Sequence, residues 1–244
     1  EGDLDLIKFP YNAGLGEKGS TSKGGTICLT GNNVTISDSE FISGRVYANV
    51  PAGAKDNETW AGGLFITGNY TIIKNCTFDD CVALEDGGAL YVIGHDCELH
   101  NSTFTNNSAG DDGGAIYWTG VRGYVENITC INNKVTGQTA TSSNSKGGTI
   151  CLTGDNATVT KSKFNISSAL VDGGALYITG NNVNVTKSEF IDCTVYYTND
   201  DKEHRGGAIY ILGNYTNVLE CTFDKSKAQL GGDVFIEGHD VTVD

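Results

Sequence analysis

"GGAIYWTG", residues 113–120, occurs in eight related versions along a chain of 244 residues. The versions begin at residues 24, 61, 87, 113, 147, 173, 206 and 231, so their start-to-start spacings are 37, 26, 26, 34, 26, 33 and 25. A fixed period of this size is the signature of a repeat architecture, in which each repeat packs only against its neighbours. The basic repeat is therefore 25–26 residues long, and three copies are longer.

Each repeat contains three short strand-like pieces separated by turn residues. The first is the glycine-led piece, which ends in Gly followed by Asn, Asp or His. The second alternates polar and apolar residues, as in VTIS at 34–37, and the third surrounds a phenylalanine, as in STF at 102–104. Three pieces of this length in one repeat suit a coil of a parallel β-helix, where each strand pairs with its counterpart one rung away.

Apolar residues recur in columns when the repeats are aligned on their glycines. Period-two alternation places two columns of the first strand, and one of the third, inside the coil. The first-strand columns are Ile27, Leu64, Leu90, Ile116, Ile150, Leu176, Ile209, Val234 and Leu29, Ile66, Val92, Trp118, Leu152, Ile178, Ile211, Ile236. The third-strand column is Phe41, Phe78, Phe104, Cys130, Phe164, Phe190 and Phe223.

The sequence thus predicts an all-β chain, a right-handed single-stranded parallel β-helix of about eight rungs over residues 24–244. Residues 1–23 are predicted to be an entry or capping segment. The three long repeats are lengthened at one place, after the third strand, which predicts edge loops near 45–60, 134–146 and 195–205. Because the chain stops within a repeat, we expect it to be a piece of a longer protein.

The charge excludes some partners. There are 30 acidic and 16 basic residues, which gives a net charge of −14. Nucleic acid and anionic lipid both require a basic surface, so neither is an expected partner. No apolar run approaches the ~18 residues of a membrane-spanning helix, and the chain is predicted not to span a membrane.

The repeats resemble two families of surface proteins. "GGAIY" or "GGALY" followed by a step such as FTNN at 104–107 is similar to the repeats of chlamydial polymorphic outer-membrane proteins. The "GNNVTI" type of turn, the acidity and the richness in Asn and Thr resemble the adhesin-like surface proteins of methanogenic archaea more closely. Both resemblances imply a β-helix and an extracellular, cell-surface role. Some repeats depart from the pattern, for example FDDC at 78–81.

The eight cysteines are predicted to be free thiols. Cysteines that share a column are four or five rungs apart, roughly 19–24 Å, which is far beyond the reach of a disulfide. Alternation turns six of them into the core, namely Cys76, Cys81, Cys97, Cys130, Cys193 and Cys221.

Eleven Asn-x-Ser/Thr triplets, the acceptor motif for N-glycosylation of exported proteins, occur along the chain. Composition alone also produces such triplets, because Asn and Thr are good turn and strand residues. Both readings stay open.

Two aspartates are candidate metal or catalytic residues. Asp86 and Asp112 directly precede the glycine pairs of adjacent rungs, so their Cα atoms are expected near ~5 Å apart. Such a pair suits a calcium site or the two carboxyl groups of a retaining glycosidase. The same column also holds Lys23, Trp60, Lys146, Asp172, Arg205 and Leu230, which is typical of a solvated corner. No other cofactor is expected.

An aromatic column is the stronger candidate for a binding surface. Alternation turns Phe65, Tyr91, Tyr117, Tyr177 and Tyr210 to the outer face of the first sheet, where a flat stripe of rings stacks on sugars or buries a protein partner. The edge loops bring four further rings beside this stripe, those of Tyr47, Trp60, Tyr196 and Tyr197. A second interpretation is that the loops only cover the rings.

These patterns favour a monomeric adhesin module that binds glycans or proteins on the surface of another cell. The alternatives are a polysaccharide lyase or hydrolase and a purely structural stalk.

Overall fold

The computed structural model describes residues 2–5, 7–10, 13–16, 22–48, 59–137, 145–196 and 203–244. All regular structure in these residues is β, and the strands pair in parallel. Each strand pairs with the equivalent strand of the next repeat, so Tyr91 lies between Phe65 and Tyr117 of the neighbouring rungs. The predicted parallel β-helix is confirmed.

Four long sheets run along the coil, where the sequence predicted three. The first sheet contains Ile27–Leu29, Leu64–Ile66, Leu90–Val92, Ile116–Trp118, Ile150–Leu152, Leu176–Ile178, Ile209–Ile211 and Val234–Ile236. The second contains Gly2–Asp5, Val34–Ser37, Ile72–Lys74, Glu98–His100, Tyr124–Glu126, Thr158–Thr160, Asn184–Thr186, Asn217–Leu219 and Thr242–Val243.

The third sheet contains Lys8–Pro10, Glu40–Ile42, Thr77–Asp79, Thr103–Thr105, Thr129–Ile131, Lys163–Asn165, Glu189–Ile191 and Thr222–Asp224. The fourth contains Ala13–Gly16, Arg45–Ala48, Val82–Ala83, Ser108–Ala109, Lys134–Val135, Ser168–Ala169 and Thr194–Val195. Ser22–Lys23 and Thr59–Trp60 form a separate pair. Strands within residues 1–23 extend the second, third and fourth sheets by one rung, and their role as an entry or capping segment stays a prediction.

Single residues in the left-handed backbone region turn the chain at three corners of each of the first seven rungs. In the third rung these are Asp96, Asn101 and Asn106, with φ of 56°, 48° and 56°. Left-handed backbone is unfavourable for most L-residues but tolerated by Asn and Asp. The first glycine of each pair makes the fourth corner, with φ of 62° at Gly87 and Gly113, and Ala61 has this conformation in the second rung, with φ of 59°.

The second glycine of the pair marks a close approach of backbones. A methyl group on Gly88 would overlap the carbonyl oxygens of Gly114 in the next rung and of Ser108 in the fourth sheet of its own rung. The coil is therefore pinched at this point. The main core lies on one side of this contact. A second, smaller apolar cluster lies along the fourth sheet and consists of Ala109, Val135, Ala169 and Val195.

The predicted interior columns fill the main core except at the last rung, where Ile236 is exposed. Phe41, Phe78 and Phe104 are fully buried and stacked, with centroid separations of 4.6 and 4.7 Å. Trp118 replaces an aliphatic residue in this core, and Gly123 of the same rung leaves the space for its indole ring.

Buried polar side chains close the hydrogen bonds at the corners. Asn107 and Asn133 are fully buried; Asn107 accepts from the amide of Cys81, and Asn133 accepts from the amide of Asn107. Ser102 plays the same role at another corner, because its hydroxyl accepts from the Cys76 amide and donates to the His100 carbonyl oxygen. Since buried amides need partners, these columns extend the ladders through the turns.

The six predicted inward cysteines do point into the coil; five are buried and Cys221 is half-buried. All eight cysteines are free thiols. Burial raises the pKa of Cys81 and of Cys193 to about 12, which keeps these thiols neutral.

Ala61 allows the left-handed corner to be tested. Ala61→Gly is expected to raise the free energy of unfolding by about 0.5–1 kcal/mol. Left-handed backbone costs alanine about 1–2 kcal/mol in the folded state, and glycine removes this cost. Part of the gain is lost because glycine also gives the unfolded chain more conformational entropy. Chemical denaturation measures the change. The matched control is Ala115→Gly, where the backbone has ordinary φ and the same substitution is expected to destabilise. A loss of stability in both variants would contradict the assignment.

Candidate functional site

The aromatic column lies on the outer side of the first sheet, as alternation predicts. Its rings belong to two clusters separate from the main core, one around Phe65 and Tyr91 and one around Tyr177 and Tyr210. Tyr91 and Tyr117 are stacked with centroids 4.8 Å apart, and Tyr177 and Tyr210 are 5.0 Å apart. The parallel register thus converts one sequence position into two stacks of rings, which Cys151 separates.

The expectation of an exposed flat stripe is wrong for most of these rings. Phe65, Tyr91, Tyr177 and Tyr210 are only 2, 7, 7 and 2% exposed, and Tyr117 is half-buried. Part of the cover comes from the residues that precede the glycine pairs, since their side chains fold over the rings. Although these rings point away from the main core, their faces are not open to a ligand. Their main role is to form a second packed layer outside the first sheet.

Trp60 belongs to this layer. Its ring stacks on Tyr91 at 5.0 Å and on Phe65 at 5.9 Å. Trp60 is half-buried and precedes the glycine pair of its rung, so it caps the stack. The structure therefore brings Trp60 together with the stripe, as predicted, but in a covering position.

Two lysines take the place of missing rings. The outer column holds Cys28 and Cys151 where other rungs have aromatic residues. In the same two rungs a lysine precedes the glycines: Lys23 lies 4.5 Å from the Trp60 centroid, and Lys146 lies 4.8 Å from the Tyr177 centroid. Ammonium groups are attracted to ring faces, so each lysine fills the gap beside a cysteine. This pairing was not predicted, although the repeated stretch "KGGTICLTG" at 23–31 and 146–154 could have indicated it.

An ionic network covers the C-terminal part of the stack. The guanidinium of Arg205 forms two bonds with Asp172 of the preceding rung, at 2.9 and 3.1 Å, and lies 4.8 Å from the Tyr210 centroid. Glu237 accepts from Arg205 and from the Tyr210 hydroxyl. Burial is the main reason why the pKa of Tyr210 is raised, so its hydroxyl stays protonated. This network leaves Tyr210 as a structural ring.

The edge of the coil beside the fourth sheet carries exposed aromatic side chains. Tyr47 is 41% exposed and Tyr196 is 55% exposed, and each stands where a long connection leaves the fourth sheet. They belong to the first and sixth rungs, about 24 Å apart along the axis at ~4.8 Å per rung. Tyr197, predicted to act with them, lies outside the described residues. We call the corner marked by Tyr47 and Tyr196 the loop corner.

Asp86 and Asp112 lie next to the stripe and are joined through the backbone. The Asp86 carboxyl accepts from the Asp112 amide at 3.1 Å, and the Asp112 carboxyl accepts from the Lys146 amide at 2.9 Å. Burial, followed by the neighbouring carboxylates, raises the pKa of Asp86 to about 8 and that of Asp112 to about 7. The pair is thus a hydrogen-bonded column that favours the neutral carboxylic acid, and not a freely solvated corner.

The chemistry available to this pair is limited by those bonds. A neutral carboxylic acid near pH 7 can act as a general acid. One oxygen of each carboxyl, however, is already used to close the ladder. Among the residues that the structure describes, no group of three His, Cys, Asp or Glu side chains is placed to hold a metal ion.

Comparisons with known proteins agree with the architecture. A family model described as a right-handed beta helix region matches residues 62–243, which establishes the predicted handedness. No curated protein and no solved structure matches the chain. The described portion contains no helix of the length and apolarity needed to cross a membrane.

Lys146 tests whether the lysines substitute for rings. Lys146→Ala is expected to lower the free energy of unfolding by about 1 kcal/mol, because the ammonium no longer covers Tyr177. In this background Cys151→Tyr is expected to restore most of the loss, whereas Cys151→Tyr alone overfills the space beside Lys146. A double-mutant cycle by chemical denaturation measures the coupling. The control is Lys161→Ala, which removes an exposed lysine paired with Glu126. A coupling energy of zero between Lys146 and Cys151 would contradict the idea that Lys146 takes the place of a ring.

The aspartate column predicts a pH dependence of stability. Because the folded-state pKa values of about 8 and 7 lie above the ordinary value of 3.8, stability is fully present below about pH 4 and is lost as the pH rises to about 8. The double variant Asp86→Asn/Asp112→Asn keeps the acceptors without the charge. It is expected to match the parent near pH 4 and to exceed it by several kcal/mol at pH 8, measured by denaturation across this range.

The control for this experiment is Asp192→Asn at an exposed turn, which is expected to leave the pH dependence unchanged. A double variant that loses stability with pH as steeply as the parent would contradict the assignment.

Proposed function

We propose that this chain, which belongs to the right-handed β-helix family, is a cell-surface adhesin module that binds a glycan or a protein of another cell at its loop corner. The observation that carries the proposal is the common origin of the three long connections. All of them leave the coil after the fourth sheet and return before the glycine pair. Length varies there without interrupting a single ladder, as in repeat proteins whose insertions form one binding face.

The coil supports such a face by holding its edge rigid. In the short rungs the same connection is tightly bonded, for example by the Asp111 amide to the Glu85 carbonyl oxygen at 2.8 Å. The buried stripe next to it adds a second packed layer. Phe65, Tyr91, Tyr177 and Tyr210 therefore act as support for the loop corner, while Tyr47, Tyr196, Trp60 and the partly exposed Tyr117 remain candidate contacts, and Tyr197 with them.

The ligand class follows from charge and ring chemistry. A net charge of −14 repels anionic polymers, so neutral glycans and neutral or basic proteins are favoured. Exposed tyrosines supply apolar faces with a polar tip, which suits both sugars and protein surfaces. An extracellular location and a monomeric state are parts of this proposal. A calcium ion at Asp86 and Asp112 also remains a proposal, which a calcium-dependent rise in stability would support.

A binding experiment tests the proposal. The chain is screened on glycan arrays and on intact cells, and Tyr47→Ala/Tyr196→Ala is expected to weaken any binding found at least about tenfold, or 1.4 kcal/mol. The matched control is Tyr70→Ala/Tyr215→Ala, because both tyrosines are 56% exposed but lie at the turn after the first sheet. An equal loss in both variants would argue against the loop corner. No binding by the parent would favour a structural stalk.

A polysaccharide-cleaving enzyme is the second candidate, favoured by the raised pKa values of Asp86 and Asp112. It predicts that reducing ends or unsaturated products are released from polysaccharides. Such activity, if lost in Asp86→Asn or Asp112→Asn and retained in Tyr47→Ala/Tyr196→Ala, would replace the adhesin proposal.

A further inference from the structure

Three successive rungs place an asparagine of an Asn-x-Thr triplet at the same corner, between the second and third sheets. These residues are Asn75, Asn101 and Asn127, with φ of 54°, 48° and 54°. All three side chains are exposed, while the residue that follows each of them, Cys76, Ser102 or Ile128, is buried. We call Asn75, Asn101 and Asn127 the asparagine column.

The fold does not require this combination. The same corner is turned by Asp38, Lys161, Lys187 and Glu220 in other rungs, all with positive φ. The position two residues later, which begins the third-sheet strand, is also free to vary, since the other rungs have Glu40, Lys163, Glu189 and Thr222 there. Each asparagine of the column is nevertheless followed by threonine, at 77, 103 and 129. Bonds between neighbouring copies favour a run of threonines and a run of asparagines, since Thr103 Oγ1 donates to Thr77 Oγ1 at 3.3 Å. They do not require that each Asn be followed by a Thr.

We propose that the asparagine column is a site of N-linked glycosylation. The transferred sugar would come from a lipid-phosphate-linked oligosaccharide, through an oligosaccharyltransferase acting during export. The Asn Nδ2 forms a bond to the anomeric carbon and loses one proton to solvent. The bond from that carbon to the phosphate oxygen breaks, so the lipid phosphate leaves with the electron pair.

Folding sets the order of events. The residue between Asn and Thr is buried in the finished rung, so the triplet reaches an enzyme only before its rung closes. The exposed asparagine then holds the glycan outside the coil without displacing a core residue. By contrast, Asn165 and Asn184 lie within strands, where their side chains are half-buried among neighbouring rungs. The turn asparagines are therefore the acceptors that the folded coil accommodates best.

The rung spacing limits how many glycans the column carries. Adjacent rungs are only ~4.8 Å apart, and the Asn127 Nδ2 donates to the Asn101 Oδ1 at 2.7 Å. Two glycans on amides in direct contact would occupy the same space. A chain that carries glycan on both Asn101 and Asn127 therefore cannot close these two rungs, so folded molecules carry glycan on at most one of them, whereas Asn75 and Asn127, two rungs apart, are compatible.

Site mapping after secretion tests this proposal. The chain is secreted from a cell that contains an oligosaccharyltransferase, its glycans are removed by an amidase in isotope-labelled water, and labelled sites are read by mass spectrometry. Intact mass counts the glycans on each molecule. We expect glycan in the asparagine column, never on Asn101 and Asn127 together. Asn101→Gln is expected to raise the occupancy of Asn127.

Matched variants separate modification from structure. Thr103→Val keeps the Asn101 amide but removes the hydroxyl of its triplet, so glycan at Asn101 is expected to be lost, whereas Thr103→Ser retains it. An unmodified column, in a cell that modifies an exposed reporter triplet, would overturn the proposal, and so would molecules that carry glycan on both Asn101 and Asn127. These outcomes are independent of the adhesin proposal, because Tyr47 and Tyr196 lie at a different corner.

Discussion

The close contact of backbones at the second glycine of the pairs, from Gly25 to Gly207, is the constraint on which this coil depends. Any side chain at Gly88 would meet the carbonyl oxygens of Gly114 and Ser108. Because two backbones touch there, the first and fourth sheets are held together without side chains between them. The main core and the small cluster along the fourth sheet are therefore separate, and the fourth corner of each rung is held in place. Connections of different length can then leave that corner without disturbing the rungs above and below.

The ladders explain why the surface tolerates so much sequence variation. Each rung offers its amides to the rung beside it, and polar columns such as Asn107 with Asn133 continue the bonding through the turns. A corner needs only one residue that accepts positive φ, and Asp, Asn, Lys and Glu all occur there. The ladder therefore requires a hydrogen-bond acceptor at the buried polar positions and a residue that tolerates positive φ at the corners. Chemistry beyond that, such as a threonine after each asparagine of the asparagine column, is free to serve another purpose.

Much of this fold is predictable from the sequence because equivalent positions of the aligned repeats carry the same type of residue. Period-two alternation correctly turned Phe78 and Cys81 inward and Tyr91 outward. The fourth sheet escaped notice, since its short-rung strands, such as Val82–Ala83, span only two residues and show no period. The prediction that the stripe is exposed was also wrong, because alternation gives the direction of a side chain but not which other side chains cover it. Here the cover includes Trp60, Lys146 and Arg205, which come from a neighbouring column.

The covered stripe changes where recognition belongs on such a coil. A sheet face with stacked, sealed rings is as rigid as the core and has little free surface, so it suits support more than binding. Corners differ, because a turn exposes its side chain and tolerates insertions. The loop corner, with Tyr47 and Tyr196, and the corner that carries the asparagine column are separate turns of the same rungs. A glycan at one therefore need not block a ligand at the other, and one rigid scaffold can carry both.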